Sequence, residues 1–376
     1  MSTTFRPVCS TGGRIEKLLL FHPCTASEQP GQVWKQYAGL MEALGREVEY
    51  YIVLQLPGAH AGAVIPQPAP HVHLVPFPQG EGLFTRWTQD VVHAFQRSTG
   101  DGTELRLVYD AHRIDARAVR HLSENIPGLR VRSLNDPLSG GNILNWGGGN
   151  GYLLAGADLL RHRLRGLPPA EKKTVRQAFE RELKELFGTE RLYWLNRTSE
   201  SGALQGAQPL FHADLYVTPL GPVSPGSETQ QVLVAELKEE YAFRPWNREM
   251  EALSAALDRT AAWLENSRLH KGLSCKVERI PMLVFDQRRE HFGSYNNSLV
   301  SCEDGRRTLY LPDFTPPEGA CAVLARRITE IQRSITARLE KSAAGEVKWV
   351  QGDFYNLSLK KGALRCMAKV IQRSAA

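Results

Sequence analysis

Four stretches of this chain carry side chains that could act together. The last is Gly362-Ala363-Leu364-Arg365-Cys366-Met367-Ala368-Lys369-Val370, in which a lone cysteine stands in a glycine-led turn running into an apolar strand. The others are Arg86-Trp87-Thr88-Gln89-Asp90, Gly140-Gly141-Asn142 and Phe211-His212-Ala213-Asp214. Together they offer a nucleophile in Cys366, a proton carrier in His212 and two carboxylates in Asp90 and Asp214. That set suits attack on a guanidinium carbon. A guanidinium is flat, cationic and a poor electrophile, so it must be held and kept charged while a strong nucleophile approaches. Carboxylates accept its N–H groups in paired hydrogen bonds, which Asp90 and Asp214 would do from two sides. A free thiol has a pKa of about 8.5, so Cys366 needs a base or a positive neighbour to become a thiolate. His212 and the bound cation both fit that need. On a strand, residues i and i+2 face one way, which predicts that His212 and Asp214 share a pocket.

Each of these residues also has a plainer reading. Cysteine often serves as a small apolar filler of a core, and Asp90 could close a strand end or turn. Asn142 either shapes the pocket or pairs backbone groups at a hairpin. Trp87 either flanks a flat cation through its ring face or belongs to the core. Asn296 and Asn297 stand at the start of a hairpin and could line the pocket. Arg365 adjoins the cysteine, but adjacent strand residues point to opposite faces, so it reads as structural or rim-lying. Cys24, Cys275, Cys302 and Cys321 read as core thiols, and His22, His93, His162 and His291 as ordinary histidines.

The elements that must position these residues follow from periodicity. Apolar runs at 17–23, 47–56, 71–77, 105–109, 129–134, 152–155, 191–195 and 276–280 read as strands. Helical spacing appears in Val33, Tyr37, Leu40, Met41 and Leu44, then in Val119, Leu122 and Ile126 behind an Asp115 cap. It returns in Val175, Phe179, Leu183 and Phe187 after Pro168-Pro169, over 247–265, and in Leu324, Ile328, Ile331, Ile335 and Leu339. Residues 57–70 read as a surface loop, Gly147 to Gly151 as a turn, and Asp304-Gly305 as the turn of a hairpin. One theme recurs about five times: helix, strand, then a hairpin whose first strand begins with polar residues. Such units, packed about a shared axis, would bring their polar starts into one central pocket. No linker divides the chain, so residues 1–376 read as a single domain.

Composition narrows the classes. The chain has 376 residues, 42% hydrophobic and 23% charged, as expected of a globular protein with a sizeable core. The formal net charge of +6 is scattered, which reads as a solvated basic face and argues against nucleic acid as a partner. The six cysteines show no zinc-ligand spacing and no disulfide framework, so no metal is expected and a reducing, cytoplasmic setting is. Met1 to Arg6 lacks the apolar run of a signal peptide, and no stretch has the ~18 apolar residues of a membrane span.

At these residues the chain resembles the guanidino-group-modifying enzymes of the pentein superfamily, which include the arginine, agmatine and peptidylarginine deiminases and the amidinotransferases. Arg86 to Asp90 looks like the first carboxylate motif in its peptidylarginine deiminase form. Ser139-Gly140-Gly141-Asn142 resembles the family's glycine-asparagine strand start. His212-Ala213-Asp214 is similar to the family's His-x-Asp, with Phe211 where glycine usually precedes it. Gly362 to Met367 resembles the terminal nucleophile strand, and Asp353-Phe354-Tyr355 resembles a stretch of the peptidylarginine deiminases. Val91 replaces the acidic residue of the calcium-dependent members, and no Asp-x-Asp-x-Asp-Gly calcium loop is present.

The resemblance implies an α/β propeller of about five ββαβ units around a pseudo-fivefold axis. It implies Cys366, His212, Asp90 and Asp214 as catalytic residues, with Trp87, Asn142 and Asn297 binding substrate and no cofactor. The implied reaction is hydrolysis of an arginine or peptidyl-arginine guanidino group to a ureido group and ammonia, through a covalent amidino-thioether. Transfer of the amidino group to an amine, or a non-catalytic binding module, are the alternatives. The expected partner is a small guanidino compound or an arginyl peptide, with no membrane. A homo-oligomer is left open.

Overall fold

The apolar runs become strands because their β-branched and aromatic side chains fill both faces of layered sheets. The computed structural model describes residues 4–374 apart from 23–29, 56–68, 78–84, 101, 112, 115, 135–136, 147–150, 197–207, 267–271, 286–290, 317–321 and 343. In chain order, β1 (Arg6–Pro7) is followed by β2 (Ile15–His22), α1 (Pro30–Leu44), β3 (Glu49–Gln55) and β4 (Val72–Phe77). Next come a single turn α2 (Thr88–Val91), β5 (Val92–Thr99), β6 (Gly102–Asp110), α3 (Ala116–Asn125) and β7 (Leu129–Leu134). A 3-10 turn at Gly140–Asn142 leads into β8 (Ile143–Trp146), β9 (Tyr152–Ala155), α4 (Ala157–Leu164), α5 (Pro169–Phe187) and β10 (Arg191–Trp194). A second, at Ala213–Leu215, leads into β11 (Val217–Pro222), β12 (Thr229–Glu236), α6 (Arg248–Glu265), β13 (Ser274–Val284) and β14 (Phe292–Ser294). The chain ends with β15 (Leu299–Glu303), β16 (Arg306–Pro312), α7 (Ala322–Lys341), β17 (Glu346–Val350), α8 (Phe354–Ser358), α9 (Leu364–Met367) and β18 (Ala368–Arg373).

Among the described residues the result is a mixed α/β fold of five separate sheets. Each contains an antiparallel pair followed by a parallel neighbour: β5-β6-β7, β8-β9-β10, β11-β12-β13, β15-β16-β17 and β18-β2-β3. The parallel step needs a crossover, which α3, α4 with α5, α6, α7 and α1 supply. In the last sheet the two chain ends meet, β18 lying antiparallel to β2 with Ala368 opposite Leu20. This seam holds the cysteine segment against strands laid down at the start of the chain.

Local chemistry sets the boundaries. Helix α1 stops at Gly45, whose φ of 86° is left-handed and whose N–H reaches Met41 O at 2.9 Å. Asn247 caps α6 by accepting from Met250 N at 3.1 Å. Asp304 and Gly305, both at positive φ, make the two-residue turn joining β15 to β16. The helices bury one stripe each, as Ile328, Ile335 and Leu339 do in α7.

The structure departs from the sequence reading in these elements. The polar starts of the units are not strand residues. They lie on α2, on the two 3-10 turns, on the Tyr295–Ser298 turn and on α9, each directly before the first strand of its unit. Helix α4, which buries Ala157, Leu159 and Leu160, is too short for its periodicity to stand out. Cys275 is half-buried and packs against the apolar core, in line with expectation, and Cys302 is half-buried. The expected Asp115 cap, Cys24, Cys321, most of the 57–70 loop and residues 147–150 of the glycine turn lie outside the described residues. Among the described residues no helix is long and apolar enough to cross a membrane. Nor does any group of three or more His, Cys, Asp or Glu among them sit where it could hold a metal ion.

Candidate active site

Cys366 sits on α9 and is 2% exposed. Asn297, from the turn between β14 and β15, holds it at two points: Nδ2 donates to Sγ at 3.0 Å, and Oδ1 accepts from Cys366 N at 3.1 Å. Arg365 N also donates to Asn297 O, at 3.3 Å. One asparagine thus ties the thiol to a segment 69 residues away. Burial, and then the charges of Asp214 and Asp90, push the thiol well above its ordinary range. Cys366 is therefore held as the thiol.

His212 is extended and lies immediately before the Ala213–Leu215 turn. Its Nε2 is 2.8 Å from Ser139 Oγ, and its Nδ1 is 3.4 Å from Asp90 Oδ1. Burial, then the field of Arg113, lowers its pKa to about 4, so the imidazole is neutral and can take a proton. The ring packs against Gly141, where a Cβ would stand 2.5 Å from His212 Nδ1 and 3.0 Å from Asp90 Oδ1. Gly141→Ala is therefore expected to push the ring out of place. Since a misplacement of about 1 Å costs ~10²-fold in rate, kcat should fall by about that factor with the thermal midpoint little changed. Steady-state kinetics beside a melting curve check this.

The two carboxylates share an unusual setting. Asp90, on α2, is 8% exposed and its Oδ1 accepts no hydrogen bond. Asp214 is fully buried, and neither of its oxygens accepts one, with Arg365 Nε 3.5 Å from Oδ2. Buried polar atoms are nearly always paired, yet among the described residues Asp90 Oδ1 and Asp214 Oδ1 have no hydrogen-bond donor, and Asp214 Oδ2 has only the Arg365 ion pair. Burial is the main cause that raises Asp90 to about 8 and Asp214 to about 7. The charge of Asp214 raises Asp90 further, while Arg113 and Lys369 pull it down. Arg365 and Lys369 pull Asp214 down.

The structure brings Cys366, Asn297, His212, Asp90 and Asp214 together. Asn142 is spent elsewhere: its Nδ2 donates to Phe211 O at 3.0 Å, and its Oδ1 accepts from Ala213 N at 3.0 Å and Gln208 Nε2 at 2.9 Å. It braces the backbone around His212, so the reading as a substrate-binding side chain gives way to a strut. Trp87 is half-buried and packs on Gly362, where a Cβ would come within 2.5 Å of the ring. Asn296 donates to Thr218 Oγ1 and Leu233 O, which ties two units together. Arg365 is not rim-lying. Because α9 is a helical turn, strand alternation does not apply, and Arg365 is buried between Asp214 and Ser10 Oγ, the latter at 3.0 Å. The i, i+2 argument for His212 and Asp214 fails for the same reason, although both face the site. Sequence reasoning missed the partnership of Ser139 with His212 and the buried Lys369, whose signal was a charge inside an apolar strand.

A cavity of about 370 Å³ adjoins this cluster, lined by Asp158, Phe211, Leu215, Leu253, Phe292 and Gly362 among others. Cys366, His212, Asp90 and Asp214 do not line it. Its wall includes Phe211, next to His212, and Gly362-Ala363, just before α9. The Phe211 ring is 40% exposed and its centroid lies 4.6 Å from that of His212.

No family model and no curated protein matches the chain by sequence. By structure it is similar to agmatine deiminase of C. jejuni, with a TM-score of 0.62 and 14% identity over 99% of this chain and 98% of that one. A cysteine-to-serine form of that enzyme with substrate bound matches equally, with the same TM-score of 0.62. A proposed arginine deiminase of Porphyromonas gingivalis matches at a TM-score of 0.60 and 15% identity, over 97% of this chain and 98% of that one. The chain has the fold of these deiminases over nearly its whole length.

Proposed function

We propose that this protein is a cysteine-dependent hydrolase of an arginine-type guanidino group, working as one catalytic unit over residues 1–376 with its five ββαβ units set about a common axis. The observation that carries this is the buried carboxylate pair, Asp90 and Asp214, with open acceptor oxygens beside Cys366 and His212. The guanidinium donates its N–H groups to both carboxylates. Its charge then favours the Cys366 thiolate, whose proton passes to neutral His212. The thiolate attacks the central carbon, a C–S bond forms, and the tetrahedral adduct expels ammonia as His212 returns the proton. The amidino-thioether that remains is attacked by a water whose proton His212 removes. The C–S bond then breaks, releasing a ureido product and restoring the thiol.

The fold supports this reading, as does the bound substrate in the serine form of C. jejuni agmatine deiminase. The cavity of about 370 Å³ has the size of small-molecule pockets and would take the body of the substrate. Its apolar wall assigns Phe211 a part in selection. Phe211→Gly is expected to raise KM for the preferred small substrate by about tenfold, in line with the loss of one apolar pocket contact. It should also narrow the preference over bulkier substrates, measured as the ratio of kcat/KM values.

The test is ammonia and ureido product from free arginine, agmatine, a methylated arginine and a short arginyl peptide. Each is run with and without an amine acceptor. Ureido product without acceptor is expected. Product that appears only with the amine would replace hydrolysis by amidino transfer, and no product under either condition would sink the enzymatic reading.

A further inference from the structure

Asn297 stands in the turn between β14 and β15 and is fully buried. Its backbone is fixed on both sides: the N–H donates to Ser294 O at 3.2 Å, and the carbonyl accepts from Arg365 N at 3.3 Å. Both ends of its side chain go to Cys366. Oδ1 accepts from Cys366 N at 3.1 Å, and Nδ2 donates to Sγ at 3.0 Å. The first bond decides the second. A backbone N–H can only donate, so the amide oxygen must face it, and the NH2 group is left facing the sulfur.

We propose that Asn297 is a catalytic residue and not a substrate-binding one: it is the donor that stabilises the Cys366 thiolate and turns the thiol's proton away from itself. A thiol sulfur is a weak acceptor, whereas an ionised acceptor takes a hydrogen bond about twice as strong. The contact therefore strengthens as the proton leaves. That is how a donor fixed in advance favours the reactive form. The charged and titratable groups that face Cys366 are Asp90 on α2, Asp214 on the second 3-10 turn and Arg365 beside it on α9. His212 before that turn and Lys369 on β18 belong to the same cluster. Burial, then Asp214 and Asp90, oppose the anion, while the Ala363 backbone and the Asn297 amide favour it.

A tie that merely joined two segments would need only the Oδ1 bond and the backbone bond from Arg365. Any small group could then stand against the sulfur. An amide donor placed there is a fully buried polar group facing a poor acceptor, and its bond becomes a strong one only when the sulfur is charged. The same amide holds Sγ against the backbone of its own residue, so the anion forms in place. This inference deepens the guanidino reading, and rests on it for the role of Cys366 as the nucleophile.

The test needs no substrate. The full chain is alkylated with iodoacetamide at several fixed pH values between about 7 and about 9, where the thiolate is the form that reacts. Modification of Cys366 is followed by peptide mass spectrometry in the native protein and in Asn297→Ala, Asn297→Leu and Asn297→Asp. Loss of a hydrogen bond to the charged form should raise the thiol by about one to two pKa units. A more basic sulfur is also more nucleophilic, with a Brønsted coefficient of about 0.4–0.5, so the rate is expected to fall about three- to tenfold. Ala and Leu carry no charge and report loss of the donor alone. Asp keeps an acceptor for Cys366 N and should be slowed at least as much. A purely structural tie predicts the opposite sign, because loosening it opens a buried thiol to the reagent. A substrate-binding residue predicts a raised KM with native alkylation. A folded Ala or Leu form that alkylates within about twofold of native, or faster, would overturn the proposal. If neither folds, the Asp form decides it, and a native rate there overturns it. The hydrolase reading fails separately: slow alkylation in the variants, with no ureido product from the substrate panel above, would keep the thiolate donor and remove hydrolysis.

Discussion

Replacing Cys366 by serine will leave a folded protein that makes no measurable product. The hydroxyl can keep the Asn297 contact that now spans 3.0 Å to sulfur. Little packing changes, so the thermal midpoint should stay within a few degrees of native. A serine hydroxyl cannot ionise where even the thiol is pushed up by burial and two carboxylates. With no anion, the attack on a delocalised cation fails, and kcat should drop by ~10³-fold or more, as when other enzymes lose their nucleophile. Intact-mass measurement of the native protein quenched in acid during turnover should show the amidino adduct on Cys366. A serine form that keeps a tenth of native activity would remove Cys366 from the mechanism.

Asp214→Asn is expected to abolish activity and yet to stabilise the protein at neutral and higher pH. An acid whose pKa is about 7 when folded, against ~3.9 unfolded, holds its proton more tightly in the fold. Its stability contribution is therefore fully present below about pH 3.9 and is lost as pH rises through about 7. An asparagine resembles the protonated acid and escapes that loss. The two proteins should match near pH 4. The variant should then gain a few kcal/mol by pH 8, at roughly 1.4 kcal/mol per pKa unit, although Arg365 loses its counter-ion. Urea unfolding at the two pH values measures this. A variant less stable at pH 8 than at pH 4, relative to native, would show that the Arg365 pair outweighs the burial of Asp214. The expected sign is that of a site held ready for a ligand at a cost in stability.

Much of this was legible before any coordinates. The alternation in Leu129 to Leu134 forms β7 with the same bounds, and the stripe from Leu324 to Leu339 forms α7, because periodicity reports which side of an element is buried. Five repeats of a helix, strand and hairpin theme became five sheets of one plan. The places where reading failed share one cause. At α2, at α9 and at the 3-10 turns, three or four residues leave strand geometry and side chains one apart can face the same site. Too few residues are involved for a period to register. The rim-lying alternative for Arg365 fails for that reason, as does the geometric argument joining His212 to Asp214.

The sequence by itself determined the elements and the reactive residue types, because both depend on interactions a few residues long and on side-chain chemistry. Only the tertiary structure decided what each polar residue is for. Asn142 and Asn297 both stand just before a strand, yet one braces the backbone beside His212 and the other grips Cys366. Ser139 meets His212 across 73 residues, and Lys369 meets Gln89 across 280. Such pairings arise from how sheets pack and how the two chain ends meet in one sheet. No local pattern encodes them, since the free energy that selects them comes from burying whole layers together.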